Sequence, residues 1–211
     1  MRIFDLFSGT KSATQPFADA GHEVFTFELD KFFEATENVD VFDLSADYLI
    51  KVYGRPDFVW ASPPCTAFSV ASMGHHWISG GANPEPRTPQ ARQSQELVAH
   101  TLQIIQDLNP RLGWLLENPR GMLRKLSVVK DYPRHTITYC TYGDSRMKPT
   151  DLWGVVPRWS PRIACKNGQN CHEAAPRGSR TGTQGIKGAR ERSKVPYQLG
   201  KEILEALEAK L

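Results

Sequence analysis

Ile3-Phe4-Asp5-Leu6-Phe7-Ser8-Gly9-Thr10 decides how the rest of the chain is read. The apolar run Ile3 to Phe7 reads as a buried strand, and Ser8-Gly9-Thr10 turns it into a helix around Ser12 to Ala20, stopped by Gly21. A strand that ends in a glycine turn and opens a helix lets backbone amides approach a ligand. Short apolar strands and helical patterns alternate downstream. Val24-Phe25-Thr26-Phe27 reads as a second strand and Asp40-Val41-Phe42 as a short third. A helical stretch from Ala46 to Tyr53 leads to a strand at Phe58-Val59-Trp60. Residues 66–89 hold many Gly, Pro and Ser without a period, and read as one long loop, of the length that forms lids or stays disordered. Ala91 to Leu108 is an amphipathic helix with Leu97, Val98, Leu102, Ile104, Ile105 and Leu108 on its apolar side. Strands are expected at Gly113 to Leu116, His135 to Cys140 and Asp151 to Trp153, and a closing helix over Val195 to Leu211. Strands alternating with helices give an α/β protein: a Rossmann-like, doubly wound, mostly parallel sheet with helices on both faces.

The 211 residues, 40% hydrophobic and 23% charged, describe a soluble domain with a proper core. No apolar run is long enough to span a bilayer. The first residues enter a strand at once and carry an acid, so they do not read as a secretory signal. Four cysteines in this length suggest a reducing cytoplasm and no disulfide framework. The formal charge is +3 but unevenly placed. Residues 154–194 hold nine cations (Arg158, Arg162, Lys166, Arg177, Arg180, Lys187, Arg190, Arg192 and Lys194) against Glu173 and Glu191, so this stretch carries +7 and the remainder −4. Such asymmetry points to a polyanion. Three regions are expected: a catalytic and cofactor domain over 1–153, a short basic recognition-like insertion over 154–194, and a C-terminal helix over 195–211 packing back on the first.

Pro63-Pro64-Cys65 follows the apolar run Asp57 to Ala61. A cysteine leaving a parallel strand stands at the crevice where open sheets bind ligands, on a loop stiffened by two prolines. Alone, the tripeptide reads equally as a turn ending in a small buried thiol. Glu117, in Leu116-Glu117-Asn118-Pro119, closes a further strand on the same sheet edge. A thiol and a carboxyl so placed suit attack on an electron-poor ring with hydrogen bonding to its far side. Glu28, in Glu28-Leu29-Asp30, ends the second strand where an acid can accept from ribose hydroxyls. Asp43, after the third, could hold an adenine amino group.

These motifs, in this order, resemble the DNA cytosine-C5 methyltransferases, in a small, phage-like form. Asp5-Leu6-Phe7-Ser8-Gly9 is similar to the family's first cofactor motif, Glu28-Leu29-Asp30 to the acidic ribose motif and Pro63-Pro64-Cys65 to the catalytic Pro-Cys motif. Glu117-Asn118-Pro119 is similar to the Glu-Asn motif and Arg146-Met147-Lys148 to a basic active-site motif. The resemblance implies DNA as substrate, S-adenosylmethionine as donor and a monomer in the (host) cytoplasm. It implies Cys65 as nucleophile on C6 of a flipped cytosine, a protonated Glu117 on N3 and the amino group, and Arg146 supporting the carbonyl and lowering the thiol's pKa. Phe7, Ser8, Gly9, Thr10, Glu28, Leu29, Asp43, Pro63, Arg192 and Ser193 are the expected cofactor residues.

Three departures stand out. The segment before the closing helix is short for a target-recognition domain. Lys11 stands where the family has a glycine. Glu191-Arg192-Ser193 stands where it reads Gly-Asn-Ser, which opens the alternative of a carboxylated donor that yields carboxymethylcytosine. A catalytically silent DNA-binding module is a further alternative. His75 and His76, in the 66–89 loop with Trp77 and Arg87, read as surface histidines. Cys165, Cys171 and His172 would be three zinc ligands with no fourth evident, so a glycine-turned loop and no metal is the expectation.

Overall fold

The structure is a computed structural model, described over residues 1–78, 84–166, 168–173 and 188–210. In chain order its elements are β1 (Arg2–Leu6), α1 (Gln15–Asp19), β2 (Glu23–Glu28), β3 (Glu37–Asn38), α2 (Ala46–Tyr53), β4 (Phe58–Ala61), α3 (Met73–His76), β5 (Trp77–Ile78), β6 (Glu85–Pro86), α4 (Pro89–Leu108), β7 (Gly113–Pro119), β8 (Arg134–Thr138), β9 (Pro149–Val155), α5 (Ala189–Ser193) and α6 (Tyr197–Glu208). Seven strands form one sheet in the order β3-β2-β1-β4-β7-β9-β8. Strands β3, β2, β1, β4 and β7 pair in parallel, and β9 runs antiparallel to both neighbours. The order reverses between β1 and β4, which places the ligand crevice of a doubly wound sheet beyond their C-terminal ends.

Alternation along the strands builds the two layers. Ile3, Phe58 and Trp60 face α1 and α6, burying Phe17, Leu199, Ile203, Leu204 and Leu207. Phe4, Leu6, Val59 and Ala61 face the other way, against Leu49 of α2 and Ile104, Ile105 and Leu108 of α4. Local chemistry sets the helix ends. Ser45 caps α2 by accepting from the Tyr48 amide, and Thr88 caps α4 by accepting from the Ala91 amide, with Pro89 in its first turn.

The structure differs from the sequence reading at four places. The third strand is Glu37–Asn38, and residues 41–43 are a 3₁₀ turn because the Asp40 carboxylate accepts from the Phe42 amide. The strand expected to end at Cys140 stops at Thr138 and tightens into a 3₁₀ turn, Tyr139–Tyr142. The short strand at 151–153 extends over seven residues, inserted between β7 and β8. Pro149 and Gly154 hide it in the sequence. Gly154 is required there: φ is +117° and a Cβ would stand 2.2 Å from the Trp114 carbonyl oxygen. The 66–89 loop, outside residues 79–83, contains α3 and the β5–β6 hairpin. It is pinned by the buried Trp77, whose Nε1 donates to the Ala67 carbonyl at 2.7 Å.

Helix α6 meets α1 at backbone distance. A Cβ at Gly200 would lie 2.5 Å from the Ala13 carbonyl oxygen and 3.0 Å from Pro16 Cγ. Gly200→Ala is expected to pry this crossing open and cost roughly 1–3 kcal/mol of stability, read as a lower urea midpoint with unchanged slope.

Candidate active site

Strand β4 ends at Ala61, in register with Leu116 of β7, so β7 continues past it and carries Glu117 and Asn118 level with the Pro63-Pro64-Cys65 loop. The strap between them is explicit: the buried Asn118 Nδ2 donates to the Pro63 carbonyl at 2.9 Å. Cys65 is half-buried and Glu117 buried. Burial pushes the Cys65 thiol above its ordinary pKa and the Glu117 charge pushes it the same way, while Lys148 and Arg192 pull it down. The structure therefore brings three charged groups, Glu117, Lys148 and Arg192, within electrostatic reach of one sulfur.

Arg146, expected to lower the pKa of the Cys65 thiol, is not among the groups that act on it. It is buried, its Nε donates to Asp144 Oδ1 at 2.7 Å, its Nη2 pairs with Asp144 Oδ2, and its Nη1 donates to the Glu191 carbonyl at 2.9 Å. Neutralised by Asp144, it braces α5; the cations acting on the thiol are Lys148 and Arg192. Lys148 Nζ donates to the Arg192 carbonyl at 3.0 Å and lies 4.6 Å from the centre of the Tyr139 ring. The Tyr139 hydroxyl in turn donates to Glu117 Oε1 at 2.9 Å. Burial and the neighbouring Glu117 raise the tyrosine's own pKa, keeping it a donor.

On the cofactor side, Glu28 Oε2 accepts from the Gly9 amide at 2.9 Å and Oε1 from the Asp30 amide at 3.0 Å. A carboxylate offers about four acceptor sites, so both oxygens keep capacity for a ligand hydroxyl. Phe7 (φ +62°) and Lys11 (φ +58°) bracket the turn in left-handed conformations. Lysine thus occupies a glycine-type backbone, its Nζ bonded to the Glu34 carbonyl. The Ser8 hydroxyl is buried and has no hydrogen-bond partner among the described residues. Leu29 and Asp43 are exposed, and Pro63 is buried. Helix α5 spans the crevice: Arg190 lies over the Phe32 and Phe33 rings, at 5.0 and 5.5 Å, while the carbonyls of Glu191 and Arg192 meet Arg146 and Lys148. Ser193 Oγ bonds back to the Arg190 carbonyl at 2.8 Å. Thr10 Oγ1 donates to Ser12 Oγ.

Asn118 straps the Cys65 loop and Tyr139 bonds Glu117, and neither role is read from the sequence. Asn118 sits inside the quoted Glu-Asn motif; Tyr139 reads as core. His76 is a correction: it is buried, its Nδ1 against Thr88 Oγ1 at 2.8 Å at the cap of α4, while His75 is exposed. The absence of a fourth ligand near Cys165, Cys171 and His172 is a second correction, because the turn after β8 delivers Cys140 to them. Arg177, Arg180 and Lys187 lie outside the described residues. Of the other cations, Arg162 pairs with Glu202, Arg158 donates to the Ala209 carbonyl, and Lys194 pairs with Glu191, already counted in the net charge. No described helix is long and apolar enough to cross a membrane.

Under the cofactor turn, Asp5 is fully buried and accepts from Thr14 Oγ1 at 2.6 Å. Desolvation raises its pKa from 3.8 to about 7, against the opposing Thr14 bond. An acid whose pKa rises on folding binds more protons in the native state, so its contribution is present below pH 3.8 and is lost as pH climbs to about 7. Asp5→Asn, which mimics the neutral acid, is expected to match the wild type near pH 4. Above pH 7 it should exceed it by up to roughly 4 kcal/mol, measured by urea unfolding across that range.

Comparison with known proteins meets this geometry. The family model for C-5 cytosine-specific DNA methylase matches residues 1–131. A protein of Frog virus 3 (isolate Goorha), named Probable DNA (cytosine-5)-methyltransferase, is 30% identical over 220 residues, covering 97% of this chain and 99% of its own. Two solved structures share the fold. One is an E. coli prophage-encoded protein described as a "putative DNA modification methyltransferase" (TM-score 0.54, 20% identity, 78% of this chain and 52% of that one). The other is the Entamoeba histolytica methyltransferase EhMeth (0.55, 12%, 80% and 57%). The chain spans about half the length of these two structures. On the match to residues 1–131 and the near full-length viral relative, the chain belongs to the C-5 cytosine-specific DNA methylase family.

Proposed function

We infer that the protein transfers a methyl group to C5 of cytosine in DNA through a Cys65 adduct. The observation that carries this reading is the Cys65 thiol within the electrostatic reach of Glu117 and two cations, on strand ends strapped together by Asn118. The base must leave the duplex stack for the thiol to reach C6. Attack by Cys65 on C6, with Glu117 sharing a proton with N3, makes C5 nucleophilic. C5 would then take the donor's methyl group, with the sulfonium leaving as a neutral thioether; loss of the C5 proton to water and departure of Cys65 from C6 as the thiolate restore the ring. Lys148 and Arg192 favour the thiolate that adds and later leaves.

The residues present fit S-adenosylmethionine. Ser8 offers a buried, unpartnered hydroxyl above β1 and Glu28 an incompletely used carboxylate at the end of β2. Phe7, Gly9, Thr10, Leu29, Asp43, Pro63, Arg192 and Ser193 complete the proposed binding set. When bound, S-adenosylmethionine supplies an electrophilic methyl group. Segment 154–194 is the proposed DNA contact, with binding that weakens steeply as salt rises.

Two measurements test this. Nucleosides from DNA incubated with protein and S-adenosylmethionine are expected to contain 5-methylcytosine by mass, and 5-fluorocytosine DNA is expected to form a denaturation-resistant adduct with the protein. Carboxymethylcytosine from a carboxylated donor, with none from the ordinary one, would replace the methyl reading. Salt-sensitive DNA binding with neither product nor adduct would leave a silent binding module.

A further inference from the structure

Four metal-ligating atoms converge outside the catalytic crevice. They are Sγ of Cys140, Cys165 and Cys171 and a ring nitrogen of His172, all within 4.8 Å of one another. Cys171 Sγ lies 3.2 Å from Cys165 Sγ and 3.7 Å from Cys140 Sγ; His172 Nδ1 lies 3.3 and 3.6 Å from Cys165 and Cys171. With metal–sulfur bonds of about 2.3 Å, the corners of a tetrahedral site stand about 3.8 Å apart. The four side chains thus occupy a volume that one such ion fills. Three thiolates and one imidazole, with no carboxylate, are a donor set that selects zinc.

The surroundings give the cluster something to do. The described residues of 157–173 form no helix or strand, and Cys165 is the one buried side chain among them. Ile163, the aliphatic residue best able to anchor a loop, is 92% exposed. An ordered segment without a core needs another tether. Cys171 is exposed, so apolar burial gives it no reason to sit against two other sulfurs. The turn at Gly168 (φ +87°) folds Cys171 and His172 back toward Cys165, and the Cys165 amide donates to Thr138 Oγ1 at 2.8 Å. The fourth ligand, Cys140, comes from the 3₁₀ turn that also presents Tyr139 to Glu117.

We propose that Cys140, Cys165, Cys171 and His172 bind one structural zinc ion, which clamps the segment leaving β9 onto the Tyr139–Tyr142 turn. All four positions are protein ligands, so the ion holds the fold and takes no part in methyl transfer. Ligand thiols must shed their protons on binding, so occupancy falls in acid.

The test is metal content of the whole protein, purified under reducing conditions without chelator from zinc-supplemented cells. One zinc per chain is expected by mass spectrometry. Cys171→Ser and His172→Ala, both outside the core, should each reduce this to a small fraction. Cys65→Ser should retain the full equivalent, which separates this site from the catalytic thiol. Exchange of zinc for cobalt should give the intense visible bands of a tetrahedral thiolate site. Wild-type protein without stoichiometric zinc, whose cobalt spectrum stays pale and six-coordinate, would overturn the proposal. So would a Cys165–Cys171 disulfide found by peptide mapping of protein alkylated at lysis. None of these readouts depends on methylation, so the site and the proposed activity stand or fall separately.

Discussion

Cys65→Ser is expected to reduce 5-methylcytosine formation by on the order of 10⁴-fold or more and to abolish the adduct on 5-fluorocytosine DNA. A hydroxyl in the same place lacks both the acidity and the polarisable sulfur needed to add to C6 and leave again. The two cations that favour a thiolate, Lys148 and Arg192, do not bring a serine hydroxyl near ionisation. Because Pro63, Pro64 and the Asn118 bond set the loop backbone, the substitution should leave stability and DNA affinity near wild type. Equal loss of DNA binding and catalysis would mean that Cys65 is a packing residue and the nucleophile lies elsewhere.

Glu117→Gln is expected to slow product formation by roughly 10²–10⁴-fold, yet to make Cys65 react faster with iodoacetamide. Both outcomes follow from one carboxyl. Toward the base it supplies the proton shared with N3; toward the thiol its charge raises the pKa, second only to burial. Removing that charge lowers the thiol's pKa and raises the thiolate fraction at a given pH, so alkylation measured from pH 7 to 9 should shift toward lower pH. Tyr139→Phe deletes one hydrogen bond to Glu117 Oε1 and should cost about tenfold in rate. A merely structural role for Glu117 would slow catalysis without moving the alkylation profile.

How far the sequence carries can be judged residue by residue. Cys65, Glu117 and Glu28 were legible because a strand end in an α/β sheet fixes both place and direction, and each follows an apolar run. The parallel sheet was legible from the same alternation. What was not legible came from tertiary convergence. Tyr139 and Cys140 read from the sequence as the end of a buried strand, although they lie in the 3₁₀ turn after β8; nothing local says that one reaches Glu117 and the other completes a ligand set. The motif points to Arg146 as the cation acting on the thiol, but it pairs with Asp144, two residues earlier, and Lys148 and Arg192 take that part. Strand β9 was shortened in the reading by Gly154, whose missing side chain is what lets the sheet close there.

The contact of Gly200 with Ala13 sets an order of events during synthesis. Ile3, Phe17, Phe58 and Trp60 lie in one core with Leu199, Ile203, Leu204 and Leu207. While the ribosome is still making residues 160–190, the first half of the sheet has α2 and α4 to cover one face and only short α1 on the other. The strand made first therefore waits, one side uncovered, for a helix made about two hundred residues later. A nascent chain paused before α6 would present that apolar face to chaperones, and its release should coincide with the emergence of α6 from the exit tunnel.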